Sequence, residues 1–191
     1  MAETLEIGVR DLPPGSSFVL DTMVLSYPAQ ANALTTLRDM FQGDQCWRTV
    51  AVTQEIQNHP PSRAALGELW VMEEDYPADL DDLVFGLLDF LGGDGDENLG
   101  EAESIALARA HDAVVITDDN GAHSAAAKWK VLSFSTLDVL ERAVAFKRVS
   151  YQVAADFVND IKALVDEDEN PLNRGITFTT GAAFLAAYGF R

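Results

Sequence analysis

The sequence predicts an α/β fold: an α/β/α sandwich around a central parallel sheet, with a C-terminal helical extension. Three observations lead there. Short apolar runs (Phe18–Leu20, Trp47–Val52, Val114–Ile116 and Val131–Phe134) alternate along the chain with stretches of helical periodicity. Several of these runs hand over to a carboxylate, at Asp21, Glu55 and Asp118-Asp119, so acids fall at strand ends. The chain has 191 residues, 48% of them hydrophobic, which suits one domain with a sizeable core.

Taken in order, residues 1–16 read as a leader closed by the Pro13-Pro14-Gly15-Ser16-Ser17 turn. A strand follows to Asp21, then a helical stretch to about Phe41 with Leu34, Leu37, Met40 and Phe41 at helical spacing. Trp47–Val52 reads as the second strand, with Glu55 opening the next helix and Thr53 as its N-cap. His59-Pro60-Pro61 breaks that helix, and Ser62 caps another running to about Met72. Leu80, Leu83, Val84, Leu87, Leu88 and Leu91 define an amphipathic helix, followed by a Gly- and Asp-rich loop over 92–98.

A helix is predicted from Glu101 to about His111, a strand to Thr117, a short helix of small residues and a strand at Val131–Phe134. Two more helices cover roughly 137–146 and 152–165, and the acidic segment from Asp166 to Pro171 ends the second. The tail from Gly175 alternates weakly, as an edge strand would, before an Ala-rich helix. The predicted division is a leader over 1–16, the α/β domain over 17–165 and an extension over 166–191. Right-handed crossovers return each strand in one direction, which gathers the strand-end acids at one sheet edge.

Composition narrows the function classes. No apolar run reaches the roughly 18 residues of a membrane span, and the N-terminus lacks the pattern of a secretory signal. The single cysteine, Cys46, forms no intramolecular disulfide and fits a reducing compartment, so a cytoplasmic location is expected. The net charge of -18 is unusual for a binder of phosphates. It is unevenly spread: 13 of the 31 acids lie between Arg63 and Arg109, where no Lys or Arg occurs. That segment reads as a solvated face or as a docking surface for a basic partner. From Lys128 to Tyr151 the balance reverses, with Lys128, Lys130, Arg142, Lys147 and Arg148 facing only Asp138 and Glu141.

Each acid has a structural reading beside the functional one. Asp21 ends an apolar strand, where a buried charge needs a partner, but it also suits the cap of the next helix. Glu55 fits a capping box as well as a ligand position. Glu101 lies in the first turn of its helix, in phase with the apolar Ile105 and Ala108, which is hard to explain by solubility. Glu103 is two residues on and reaches the same region only from the helix start. Asp118 and Asp119 point to opposite sides, so one enters a site while the other caps or assists. Carboxylates converging at one edge stay ionised together only around a cation.

Other chemistries lack their signatures. Cys46 with His59, His111 and His123 gives no zinc spacing, and no phosphate loop or Gly-x-Ser-x-Gly elbow occurs. The Asp94–Asn98 loop lacks the Gly and Glu that a calcium loop requires.

Val19-Leu20-Asp21-Thr22, Glu55 after the second strand, Gly100-Glu101-Ala102-Glu103-Ser104-Ile105-Ala106-Leu107-Ala108 and Ile116-Thr117-Asp118-Asp119 together resemble the PIN-domain nucleases. The Gly-Glu-Ala-Glu motif and Ser135-Thr136-Leu137-Asp138-Val139-Leu140 look like the VapC-like prokaryotic branch. The resemblance implies a ribonuclease using Mg²⁺ or Mn²⁺, often the toxin of a toxin–antitoxin pair. It implies Asp21, Glu55, Glu101 and Asp119 as catalytic metal ligands, with Thr22, Glu103, Thr117 and Asp118 as auxiliaries. Lys128, Lys130, Arg142, Lys147 and Arg148 are the candidates for binding RNA phosphates. DNA stays open as an alternative substrate, and a homodimer and an antitoxin as partners. Met23 stands where the family usually has Asn. With the acidic charge it motivates an alternative: a weakly active or inactive PIN-like domain that binds protein or RNA.

Overall fold

The computed structural model describes residues 8–92, 97–167, 180–187 and 189. Five strands form one sheet in the order β3-β2-β1-β4-β5, every neighbouring pair parallel. They are β1 (Ser17–Leu20), β2 (Gln45–Arg48), β3 (Val71–Glu73), β4 (Val114–Ile116) and β5 (Ser133–Phe134). Buried parallel strands carry apolar residues on both faces, and here alternate positions feed two layers. Phe18, Leu20, Val114 and Ile116 face one core, and Val19, Trp47 and Val115 face the other.

The first layer holds α1 (Thr22–Gln30), α2 (Leu34–Met40), α7 (Thr136–Ala145) and α8 (Tyr151–Glu167), while α3 (Val50–Asn58) adds Val52 and Ile56 to it. The second layer holds α4 (Asp81–Leu91), α5 (Leu99–Ala110) and α6 (Asn120–Lys128). The predicted α/β/α sandwich is therefore the fold. The last helix, α9 (Gly181–Ala187), packs on α8 and buries Phe184 in the first core. Gly181 permits that contact, because a Cβ there would lie 2.2 Å from the Ala155 carbonyl oxygen.

The strand order fixes where a ligand can reach. From β1 the chain proceeds outward through β2 to β3, then crosses back to β4 and continues to β5 on the other side. The switch point lies between β1 and β4, and in open parallel sheets the crevice outside the carboxyl ends at this point is where ligands bind.

Several predicted boundaries are corrected. The helix expected to run to Phe41 is two helices, with Pro28 near the end of the first and Asn32 at φ +55 between them. The second strand stops at Arg48, and Val50–Val52 are helical rather than extended. Thr49, not Thr53, caps α3 by accepting the Val52 N–H at 3.2 Å, so Glu55 lies in mid-helix. The helix expected to reach Met72 is a 3₁₀ run over Pro60–Gly67 followed by β3. The last strand begins at Ser133 rather than Val131. The expected tail strand from Gly175 and the core of the Gly- and Asp-rich loop lie outside the described residues.

Candidate active site

Asp21 anchors the switch point. Its backbone N–H still bonds the Ile116 carbonyl at 3.0 Å, continuing the β1–β4 ladder. Its side chain is 1% exposed, with Oδ1 accepting the Thr22 N–H at 2.7 Å and Oδ2 accepting the Thr117 hydroxyl at 2.8 Å. Capping of α1 and burial at the sheet edge are thus both true of this residue. Thr117 extends the clamp, because its hydroxyl oxygen accepts the Asp119 N–H at 3.2 Å.

Glu55 reaches the same place from α3. The Thr22 hydroxyl donates to its Oε2, and the Gly100 N–H donates to Oε1 at 3.2 Å. Three elements therefore meet on one carboxylate: the start of α1, the middle of α3 and the start of α5. Gly100 has a steric reason to be glycine, since a Cβ there would lie 2.6 Å from Glu55 Oε1. Gly121 plays the same part beside Asp119, whose Oδ1 would lie 2.9 Å from an added Cβ. Asp119 caps α6 by accepting the Ala122 N–H at 2.8 Å. Neither glycine is marked as a spacer by composition or periodicity. The available signal was a glycine within the first helical turn, where almost any other residue favours the helix more.

Electrostatics tie the acids together. Burial first, and then repulsion from Glu101, hold Asp21 well above the ordinary carboxylate range; Glu55 adds to this, against the hydrogen bonds from Thr117 and Thr22. Glu101 is pushed up to about 7, mainly by burial, with repulsion from Glu55 and Asp119 adding to it and its own backbone N–H opposing. Glu101 thus feels two of the other acids and perturbs the third. Asp21, Glu55 and Glu101 repel one another at the carboxyl edge, and Asp119 joins them through Glu101.

The remaining candidates are held by partners of their own, although Glu103 also feels repulsion from Glu55. Asp118 turns the other way and accepts the Thr136 N–H at 2.9 Å and the Thr136 hydroxyl at 2.7 Å, fastening β4 to α7. Glu103 Oε2 accepts the Ala51 N–H at 3.2 Å, so this acid holds the first turn of α3. Both serve as fasteners in the structure.

Of the basic candidates, the two arginines are engaged within the fold and the three lysines lie away from the acids. Arg142 is fully buried and pairs with Asp44 at 2.7 Å, while its other nitrogens bond the carbonyls of Leu12 and Pro13. Arg148 joins the same Asp44 at 2.5 Å. Neither guanidinium is available to a phosphate. Lys128 closes α6 at the end opposite Asp119, and it lines a cleft of about 630 Å³ with Lys130, Arg109 and Trp129 at the amino ends of the strands. Lys147 follows the C-terminal end of α7, again away from the carboxyl edge. The physical reason is the crossover itself. α6 carries the chain from Asp119 at the carboxyl edge back to Lys128 at the amino edge, and α7 leaves the carboxyl end of β5 in the same direction, so the lysines that close or follow these helices lie behind the sheet.

Among the described residues no three acid, His or Cys side chains stand close enough to form a ready-made metal set. The chemistry of the donors nonetheless suits a hard divalent cation. All four are carboxylates, each oxygen has lone pairs beyond the hydrogen bonds named, and their mutual repulsion is the kind a cation relieves.

Compared with known families, residues 17–166 match the PIN domain. The chain belongs to the PIN-domain family. A PIN domain is a nuclease-type domain, and such domains generally act on nucleic acid with divalent metal ions. No curated protein gives a significant match to this PIN domain. Among the described residues no helix is long and apolar enough to cross a membrane.

Proposed function

We propose that this PIN domain is a metal-dependent phosphodiesterase acting on RNA, of the VapC-like branch, and the toxin of a toxin–antitoxin pair working in the cytoplasm. The observation that carries the reading is the meeting of carboxylates at the switch point, where Thr22 bonds both Asp21 and Glu55, Gly100 ties Glu55 to the start of α5, and Glu101 is raised by burial and by repulsion from Glu55 and Asp119.

These four side chains would hold Mg²⁺ or Mn²⁺. Bound there, a divalent ion would stabilise charge on the scissile phosphate and lower the pKa of an attacking water. The protein's own contribution is placement. Thr117 and the Thr22 N–H fix the Asp21 carboxylate, while the Thr22 hydroxyl and the Gly100 N–H fix Glu55. With its pKa raised to about 7, Glu101 is partly protonated near neutral pH in the metal-free site, so cation binding would release protons from it.

The test is Asp21→Asn assayed on RNA and DNA oligonucleotides with Mn²⁺. Cleavage of RNA by the wild type, lost in the variant with the fold intact, is the expected result; wild-type activity in the variant would refute the assignment. Preferential cleavage of DNA would replace the substrate and leave the site.

A second reading is favoured by the absence, among the described residues, of a ready-made metal set. It makes the chain a binding module for protein or RNA that does not cut. That reading expects no thermal stabilisation by Mn²⁺, and a clear rise in melting temperature counts against it.

A further inference from the structure

Ala51, Gln54, Glu55 and Asn58 fall three or four residues apart on one face of α3 and, with Leu99 at the start of α5, line a groove of about 220 Å³. Gln54 and Asn58 are exposed, and among the described residues neither side-chain amide is engaged by another protein group. Glu55 has one oxygen bonded to Thr22 of α1 and the other to Gly100 of α5. With Glu55 held by these bonds and turned to the acid group, the uncharged polar groups of the groove are two neutral amides, each with an acceptor and two donors.

That chemistry discriminates among ligands. No Lys or Arg lines the groove and a carboxylate borders it, so a phosphate is repelled. The volume lies below the roughly 300–1,000 Å³ of sites for drug-sized molecules, and it suits a single flat ring system. An Asn or Gln amide pairs its donor and acceptor with the edge of a base, and single-stranded RNA offers unstacked bases with such edges exposed. Leu99 supplies an apolar wall for the ring. Because Glu55 belongs both to the groove and to the acid group, a base held here lies next to the phosphate held there. We propose that the groove between α3 and α5 is a nucleobase subsite, in which Gln54 and Asn58 select the base adjacent to the scissile phosphate. The inference rests on the nuclease reading for its biological meaning, but binding can be read without cleavage.

The experiment has two arms. In the first, the full chain carrying ¹⁵N labels is titrated with adenosine, guanosine, cytidine and uridine, and with argininamide as a cationic control. The Gln54 and Asn58 side-chain NH₂ signals should shift with one nucleoside in preference to the others, by about tenfold in affinity, and Asn58→Leu should remove the preference. No shift, equal shifts with all four nucleosides, or a stronger response to argininamide would overturn the subsite. In the second arm, cleavage positions on a mixed-sequence RNA are mapped in Mn²⁺ for wild type, Gln54→Ala and Asn58→Ala. The wild-type base preference should flatten by about tenfold in the variants. Cleavage with unchanged preference would also sink the subsite. Selective nucleoside binding without any cleavage would instead refute the nuclease reading and leave the subsite standing.

Discussion

Gly100 sets how closely α5 approaches Glu55, and the consequence can be measured. Replacing glycine by alanine inside a helix ordinarily adds about 0.5–1 kcal/mol of stability. Here the new Cβ would displace the Glu55 carboxylate, which stands 2.6 Å away. Gly100→Ala should therefore melt no lower than wild type while losing the proposed metal-dependent cleavage, a separation that thermal denaturation and an RNA assay together reveal. Glu101 gives a pH prediction for the metal-free protein. Its pKa rises from 4.5 to about 7, so the native state binds this proton more tightly than the unfolded chain does. The contribution is fully present below the unfolded value and is lost as pH rises through about 7. Stability should fall between pH 5 and pH 8 by on the order of 2–3 kcal/mol, and Glu101→Gln should flatten the dependence. Urea denaturation across that range checks both. Ser104 offers a simpler case, since its hydroxyl is buried on α5 with no hydrogen-bond partner among the described residues. Ser104→Ala should be neutral or stabilising by up to about 1 kcal/mol.

At the scale of elements, the sequence was most legible where periodicity is strong and least where composition misleads. β1, β4 and the long helices α5 and α8 follow from apolar spacing alone. Val50-Ala51-Val52 did not, because two β-branched residues in an apolar run read as a strand although Thr49 caps a helix there. Asp21 and Asp119 were readable as strand-end acids, and Glu101 as an acid on a core stripe. That Glu103 and Asp118 are fasteners was not readable, because their partners, Ala51 and Thr136, lie far along the chain. Neither was the Asp44 clamp, which joins the turn before β2 to Arg142 and Arg148 about a hundred residues on. Burial raises the Asp44 carboxyl, but the hydrogen bonds from Arg142 and Arg148 outweigh it and the pKa is lowered. Asp44→Asn leaves two arginines short of their anion and should cost about 3–5 kcal/mol. Chemical denaturation measures it, and a loss below about 1 kcal/mol would show the clamp to be dispensable.

Over the whole molecule, the two sheet edges have opposite character. The carboxyl edge gathers the coupled acids, and the amino edge carries Lys128 and Lys130 beside a cleft as well as the buried arginine clamp. The basic segment was legible in the sequence but its position in the fold was not, because sequence order does not say which end of a crossover a residue occupies. An acidic rim lacking these cations should make divalent metal the main attraction for a polyanion. Binding of an uncleavable 2′-O-methyl RNA by the wild-type chain should consequently strengthen with Mn²⁺ at constant ionic strength and strengthen less in Asp21→Asn, and fluorescence anisotropy reads that directly. The Gly100 contact also bears on heredity. One methyl group at that position would press on Glu55 at 2.6 Å, and a glycine codon becomes an alanine codon by a single base change. Where expression of this chain arrests growth, surviving colonies should carry lesions at codon 100 alongside those that remove an acid.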